Sequence, residues 1–138
     1  MTRNAPIRRR SDCPLSIGLE IFGDKWTLLI LRDLMLKKLQ TFKQFQDSGE
    51  SIATNVLSDR LERLQKQGIV TAARSSVDAR VVTYHPTAKG LDLLPVLVEI
   101  VLWSARHEKT AAPPKLIEKM TRDKEGFIQE LRGRFSVS

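Results

Sequence analysis

Apolar residues recur at a helical interval near the centre of the chain. Leu57, Leu61 and Leu64 follow the i, i+4, i+7 spacing of one helix face, which predicts an amphipathic helix over about residues 53–67. Ser51 is placed to open this helix, and Gly68 is suited to end it because glycine readily adopts the left-handed conformation of a helix terminus.

A shorter apolar pattern precedes this helix. Thr41 is placed to cap a short helix that carries Phe42 and Phe45 on one side, and the polar residues 47–50 are typical of a turn. Two short helices joined by a turn of a few residues predict a helix-turn-helix.

After Gly68 the pattern changes from helical to β-prone. Residues 69–74 and 80–85 form two short β-prone runs, and the polar residues 75–79 between them are typical of a turn. This pattern predicts a β-hairpin in which Arg74 and Arg80 face each other. A hairpin directly after a helix-turn-helix is the arrangement of a winged helix.

Further helices flank this unit. Asp24 is placed to cap a helix over residues 25–37, and apolar residues on most of its sides predict a central core position. Residues 15–22 alternate like a strand but also fit one helical face, and we interpret them as a short helix. Thr87 is placed to cap a long helix to Glu108, kinked at Pro95. After a break at residues 111–114, one more helix is predicted over residues 115–134.

These elements predict a fold class and a domain division. The class is α+β, mainly α: a winged helix-turn-helix with additional N- and C-terminal dimerisation helices. Residues 1–12 are expected to be a flexible basic arm, residues 13–110 the winged domain with its dimerisation helix, and residues 111–138 a C-terminal helical extension.

Composition and charge limit the classes of partner that the chain is expected to bind. The 138-residue chain carries a formal net charge of +7 and a pI near 9.9, which favours polyanions such as nucleic acid or an anionic membrane. The basic residues do not line one amphipathic face, so we expect no membrane partner. The longest apolar run, residues 28–31, is too short to cross a bilayer, and a single cysteine excludes an intramolecular disulfide. A cytoplasmic protein is expected.

The predicted second helix of the motif carries candidate base readers. With its leucines turned to the core, Thr54, Asn55, Ser58 and Asp59 are exposed on its N-terminal half, and Arg60 and Arg63 lie along its flanks. Asp59 is unfavourable near a polyanion, but it can accept from cytosine or orient Arg63 by an i, i+4 pair. The alternative interpretation is a solvated helix face without a DNA role.

Other cations are candidates for the DNA backbone. Arg74 and Arg80 of the wing are expected to reach the minor groove or phosphates. Lys25 stands at a helix N-terminus, where the helix dipole disfavours a cation, and a phosphate contact would offset that cost. Lys43 on the first helix of the motif is a weaker candidate.

The chain carries no pattern of catalysis or metal binding. It has two histidines, no Cys/His cluster at metal-ligand spacing, no glycine-rich phosphate loop and no Ser/His/Asp constellation. We therefore expect no enzyme activity, no metal and no cofactor.

A family resemblance runs through residues 13–107 in order and spacing. The matching residues are Cys13–Pro14, Gly23–Trp26, residues 28–34, Phe42, Phe45, Asn55–Leu61, Leu64, Gly68, Tyr84, Thr87–Gly90, Leu94–Pro95 and Trp103. With these residues the chain resembles the HxlR family of bacterial winged-helix regulators. The resemblance implies a cytoplasmic, homodimeric transcription factor that binds double-stranded DNA at near-palindromic operators. It also supports the DNA contact of Lys25. The chain departs from the family's Gly-Gly-Lys-Trp at Asp24, lacks its Pro-rich wing tip, and has a longer helix after Pro114.

The predicted long helix carries the expected dimer interface. Its apolar stripe, together with a tryptophan, offers more surface than one small winged domain can cover, which predicts an isologous dimer through this helix, the N-terminal helix or both. The interface residues expected on this basis are Leu94, Val98, Val101, Leu102 and Trp103.

Cys13 has two interpretations. In some members of the family a cysteine near the N-terminus responds to electrophiles or oxidants, which implies a sensor. Residues 8–10 are arginines, and such cations favour the reactive thiolate, whereas Asp12 opposes it. The alternative is a small buried hydrophobic residue.

The sequence therefore predicts a sequence-specific DNA-binding regulator. The alternative is an architectural or interaction module that binds nucleic acid without sequence specificity. The sequence does not identify the operator, the regulated genes, the direction of regulation or any small-molecule effector.

Overall fold

The computed structural model of the chain describes residues 9–135 and contains the predicted winged helix. Its elements are α1 Pro14–Phe22, α2 Lys25–Met35, α3 Phe42–Gln46, α4 Thr54–Lys66, β1 Val70–Arg74, β2 Val82–Pro86, α5 Ala88–Leu91, α6 Leu94–His107, α7 Pro114–Arg122 and α8 Lys124–Arg132. The mainly helical α+β class is confirmed, and residues 15–22 are helical as interpreted. The predicted arm over residues 1–12 lies mostly outside the described residues.

The core forms around α2. Ile30, Leu31, Leu34 and Met35 are all at most 2% exposed and pack with the buried leucines of α4, as the i, i+4, i+7 spacing predicts. Phe45 of α3 is buried in the same cluster. The two helices of the motif are thus held on α2 by apolar contacts.

Side-chain caps begin two of these helices. The Asp24 carboxylate accepts hydrogen bonds from the backbone N–H groups of Trp26 and Thr27, and Thr41 forms a capping box with Gln44. Both caps are confirmed. The prediction for Ser51 is wrong, because Ser51 has a φ of 59° in the preceding turn and the cap residue of α4 is Ala53.

The wing is a two-stranded antiparallel hairpin. β1 pairs with β2 from Val70 opposite Pro86 to Arg74 opposite Val82. Strand β2 is also tied to the start of α3, since Thr41 forms an antiparallel bridge with Thr83. The strand predicted to begin at residue 80 begins at Val82, so Arg80 lies in the turn and does not face Arg74.

The two long helices predicted near the C-terminus are each divided. Pro95 does not kink one helix; it stands in the first turn of α6, after a break at residues 92–93 that separates α6 from α5. Proline lacks the N–H that would continue the preceding helix, and its ring clashes with the carbonyl four residues earlier. Residues 115–134 are divided at Asp123, whose non-helical backbone lets its side chain cap α8 through the Gly126 N–H.

The last two helices pack against α6 and complete the core. Met120, Phe127, Ile128 and Leu131 are buried in the same apolar cluster as the centre of the winged domain. Arg132 pairs with Asp92 at 2.7 Å, which joins α8 to the break before α6. Across residues 9–135, no helix combines the length and the apolar character needed to cross a bilayer.

Candidate nucleic-acid interface

The exposed side of α4 holds the predicted base readers. Leu57, Leu61 and Leu64 face the core, which leaves Thr54, Asn55 and Ser58 exposed on the N-terminal half of the helix. Thr54 accepts a hydrogen bond of 2.7 Å from the Gln46 amide, which joins the start of α4 to the end of α3. The amide of Asn55 and the hydroxyl of Ser58 remain on the surface, where groove-facing groups would have to lie.

The N-terminus of α4 has no side-chain cap. Ala53 stands at the cap position and its methyl side chain cannot accept a hydrogen bond, so the helix begins without a side-chain cap. Backbone N–H groups at a helix N-terminus are frequent donors to DNA phosphates. The same helix end therefore presents polar side chains and backbone donors.

Arg63 is the accessible arginine of α4. Its side chain is 66% exposed and forms one ion pair with Asp59 at 3.0 Å, one helical turn earlier. Such a surface pair contributes roughly 0.3–0.5 kcal/mol, so the guanidinium can exchange this partner for a phosphate at little cost. The i, i+4 pairing expected for Asp59 is present.

Arg60, unlike Arg63, is largely buried and pairs with two carboxylates. Its side chain is only 21% exposed, and its guanidinium donates to Asp24 at 3.0 Å and to Asp59 at 2.6 Å. Partial burial raises the pKa of Asp24, but hydrogen bonds from Thr27 and Arg60 outweigh that effect and leave this pKa below its ordinary value. The hydrogen bond with Asp24 raises the pKa of Arg60 in turn.

The wing carries two more of the predicted cations. Arg74 donates to the carbonyl of Ala79 at 2.7 Å, and Arg80 pairs with Asp78 at 3.1 Å while its side chain remains 90% exposed. The hydrogen bonds from Arg80 lower the pKa of Asp78. Val77 at the tip is 94% exposed, so the turn presents an apolar residue between two arginines.

The two predicted lysines lie on the surface of the helices before α4. Lys25 is the first residue of α2, and its Nζ lies 4.4 Å from the centroid of the Trp26 ring. Lys43 of α3 pairs with Asp47 at 3.2 Å, with 79% of its side chain exposed. Both ammonium groups are available to an anionic partner.

Comparison with known proteins agrees with this arrangement. A family model described as HxlR-like helix-turn-helix matches residues 21–112. The chain belongs to the HxlR family. It is a helix-turn-helix transcriptional regulator, and because this is a family of DNA-binding regulators, the expectation that the chain is not an enzyme is confirmed.

Individual relatives share most of their length with this HxlR-family chain. The transcriptional regulator BH0655 of Halalkalibacterium halodurans is 26% identical over 74% of this chain and 90% of its own. The solved structure of PA1607, described as a transcription factor, is 32% identical with a TM-score of 0.67 over 75% and 71% of the two chains. The diamide-treated structure of YodB from Bacillus subtilis is 26% identical with a TM-score of 0.53 over 71% and 97%.

The structure also reveals contacts that the sequence pattern did not identify. Thr87 donates to the carbonyls of Gly68 and Ile69, at 2.6 and 3.1 Å, and Lys89 donates to the carbonyl of Gln67 at 2.6 Å. These bonds join the end of α4 to α5 and so fix the C-terminal end of the helix that carries the candidate readers.

Cys13 is exposed at the N-terminal end of α1. The alternative that it is a buried packing residue is therefore wrong for this protomer. Cys13 lines an open hollow together with Leu15 and Leu19, and the nearby Arg10 guanidinium donates to Ser16 at 2.9 Å.

Two apolar surfaces of the HxlR-family chain remain open. On α1, which has no buried residue, Leu15 and Leu19 are 70% and 55% exposed; on α6, Ile100 and Trp103 are 45% and 56% exposed.

The residues predicted for the dimer interface divide into two groups. Leu94, Val98 and Leu102 are at most 3% exposed because the core of the same chain covers them, which corrects the predicted interface. Val101 is half-buried, and Trp103 is the member of the predicted set that is freely accessible.

The described residues hold no candidate metal centre. Between residues 9 and 135, no three His, Cys, Asp or Glu side chains come together in a way that would hold an ion.

Proposed function

We propose that this HxlR-family regulator acts in the cytoplasm as a homodimer that binds a near-palindromic operator with sequence specificity, and that Cys13 makes binding sensitive to oxidants. In each protomer, α4 enters the major groove and the wing contacts the adjacent backbone or minor groove. The proposed readers are Asn55 and Ser58, with Thr54 beside them, and the proposed backbone contacts are Lys25, Lys43, Arg63, Arg74 and Arg80.

One observation carries the DNA-binding proposal. The uncapped N-terminus of α4 lies beside exposed Asn55 and Ser58, and the exposed cation Arg63 lies further along the helix. This end of the helix therefore combines base-edge donors and acceptors with groups that bind phosphate, which are the two requirements of specific recognition.

The dimer proposal is supported by the open apolar side chains of α1 and α6. Leu15, Leu19, Ile100 and Trp103 are large side chains whose exposure costs free energy in water. A two-fold interface that covers them would pair two copies of α4 and suit two operator half-sites about one helical turn of DNA apart.

The sensor proposal is supported by the exposure of Cys13 and by its place at the start of α1. Because the chain has one cysteine, two Cys13 thiols of a dimer would form a single disulfide. Diamide would accept the two electrons and two protons and become the corresponding hydrazine. Disulfide formation would move α1 at the dimer interface and change the spacing of the two α4 helices.

Arg63→Gln tests the interface directly. We expect operator affinity to fall about tenfold and the slope of log K against log salt to become shallower by about one per protomer. Asn55→Ala should instead relax base preference at one position of each half-site while the slope stays constant. The measurement is fluorescence anisotropy at several salt concentrations, with the duplex that the parent enriches from a randomised library.

Glu118→Gln on α7, an exposed charge far along the chain, is the control and should bind like the parent. If the parent bound random and enriched duplexes equally, it would be an architectural protein. If both α4 variants bound like the parent, α4 would not be the reader.

Cys13→Ser tests the sensor. Diamide is expected to shift the DNA affinity of the parent by about fivefold or more, whereas Cys13→Ser should bind equally before and after treatment. Non-reducing electrophoresis should show a crosslinked dimer in the treated parent. Equal responses of both proteins to diamide would assign the effect to something other than Cys13.

A further inference from the structure

We propose that Asp24 and Arg60 act together as a positioning link that sets the orientation of α4, and that Arg60 does not itself contact DNA. This inference rests on the proposed role of α4 as the DNA reader. It assigns to Arg60 a different role from that of Arg63, although both arginines lie on the same helix.

One carboxylate serves two helices. Oδ2 of Asp24 accepts from the N–H groups of Trp26 and Thr27, at 3.1 and 3.2 Å, and also from Nε of Arg60 at 3.0 Å. The arginine lies 36 residues later in the chain. The cap that begins α2 is therefore also the point at which α4 is anchored.

The hydrogen bond between Asp24 and Arg60 constrains the rotation of α4 in a way that the apolar core does not. The buried leucines of α4 pack in the same apolar cluster as α2, and apolar contacts are largely non-directional. The start of α4 has no side-chain cap, and its hydrogen bond from Gln46 to Thr54 joins it to α3 and not to α2. A charge-assisted bond from Nε of a planar guanidinium restricts rotation of α4 about its axis. Such a rotation would displace Asn55 and Ser58 relative to a DNA groove.

The surroundings of Arg60 argue against a phosphate contact. Two of its three nitrogens are engaged by the carboxylates of Asp24 and Asp59, and only 21% of its side chain is exposed. A phosphate would have to compete with both carboxylates, and removal of the guanidinium would leave Asp24 without this partner. Arg63 is 66% exposed and has Asp59 as its one carboxylate partner, so a phosphate would have to displace only this surface pair.

The salt dependence of binding separates the two roles. A cation that neutralises a phosphate adds about 0.9 to the slope of log K against log salt, whereas a residue that acts through another side chain adds nothing. The test compares Arg60→Gln with the matched variant Arg63→Gln, using the duplex enriched by the parent and a random duplex of equal length.

A second pair of variants tests the coupling. Asp24→Ser keeps an N-cap for α2, because serine is among the preferred cap residues, but its side chain is too short to hold Arg60 as well. We compare Asp24→Ser, Arg60→Gln and the double variant. Circular dichroism checks that each protein retains its helices.

We expect Arg60→Gln and Asp24→Ser each to weaken binding to the enriched duplex by about three- to tenfold, with little further loss in the double variant. The salt slope of Arg60→Gln should equal that of the parent, while that of Arg63→Gln becomes shallower. Binding to the random duplex should change little in Arg60→Gln, because backbone contacts remain.

Three outcomes would overturn the inference: a slope for Arg60→Gln as shallow as that of Arg63→Gln, additive losses in the double variant, or unchanged affinity in both single variants. If Arg60→Gln did not fold, Arg60→Lys would be compared with the parent in its place. A phosphate contact would survive this change, whereas the simultaneous bonds to both carboxylates would not, so unchanged affinity in Arg60→Lys would overturn the inference. Failure of the parent to prefer any duplex would instead reject the proposed function.

Discussion

Trp103→Glu is expected to convert the proposed dimer to a monomer and to weaken binding to a two-half-site duplex by about 100-fold. Trp103 is 56% exposed on α6 in a single protomer, and its indole is the largest open apolar side chain of that helix. A carboxylate in its place would lose this apolar surface and place an unpaired charge in the proposed interface. A monomer engages one half-site at a time and loses the gain from simultaneous binding.

Light scattering at micromolar concentration measures the mass, and anisotropy with one-half-site and two-half-site duplexes measures the binding. Trp103→Phe is the matched control, because it keeps an aromatic surface and should remain dimeric. Affinity for the one-half-site duplex should be nearly unchanged in both variants. If Trp103→Glu kept the mass of a dimer, α6 would not form the interface.

Gly90→Ala should destabilise the fold by about 3 kcal/mol, at the upper end of what an added methyl group costs in a packed site. A Cβ at this position would overlap the carbonyl oxygen of Ile69 and crowd its side chain. The obstacle is backbone, so no rotamer change relieves it. Gly90 also donates its N–H to Thr87, whose hydroxyl holds the end of α4. The methyl group should therefore push α5 away from the junction of α4 and β1.

Urea unfolding followed by circular dichroism, at one fixed protein concentration, gives the free energy of unfolding. The control is Gly133→Ala, because there a Cβ would have its nearest neighbours at 3.5 Å and the backbone φ of −64° suits alanine. This control should be as stable as the parent or slightly more stable. Equal stability of Gly90→Ala and Gly133→Ala would show that α5 shifts at no cost.

The features that could be predicted from the sequence are those set by neighbours along the chain. The Asp24 and Thr41 caps bond to N–H groups two or three residues away, and the α4 leucines share one face because of the helical period. The change from helical to β-prone residues after Gly68 predicts the wing. The kink predicted at Pro95 is wrong, because the sequence does not determine whether a proline bends one helix or stands in the first turn of a new one.

The features that could not be predicted depend on segments distant in the chain. An apolar stripe indicates that one face of a helix is buried but not which segment covers it. The hydrophobic effect is non-directional, so any apolar surface of suitable shape could do so. In the sequence Leu94, Val98 and Leu102 therefore suit a dimer interface equally well, whereas in the fold they are buried in the core of the same chain, where α2, α7 and α8 pack against α6. Arg60 likewise resembles Arg63 in the sequence, and its role differs because folding brings the Asp24 carboxylate within 3.0 Å of its guanidinium.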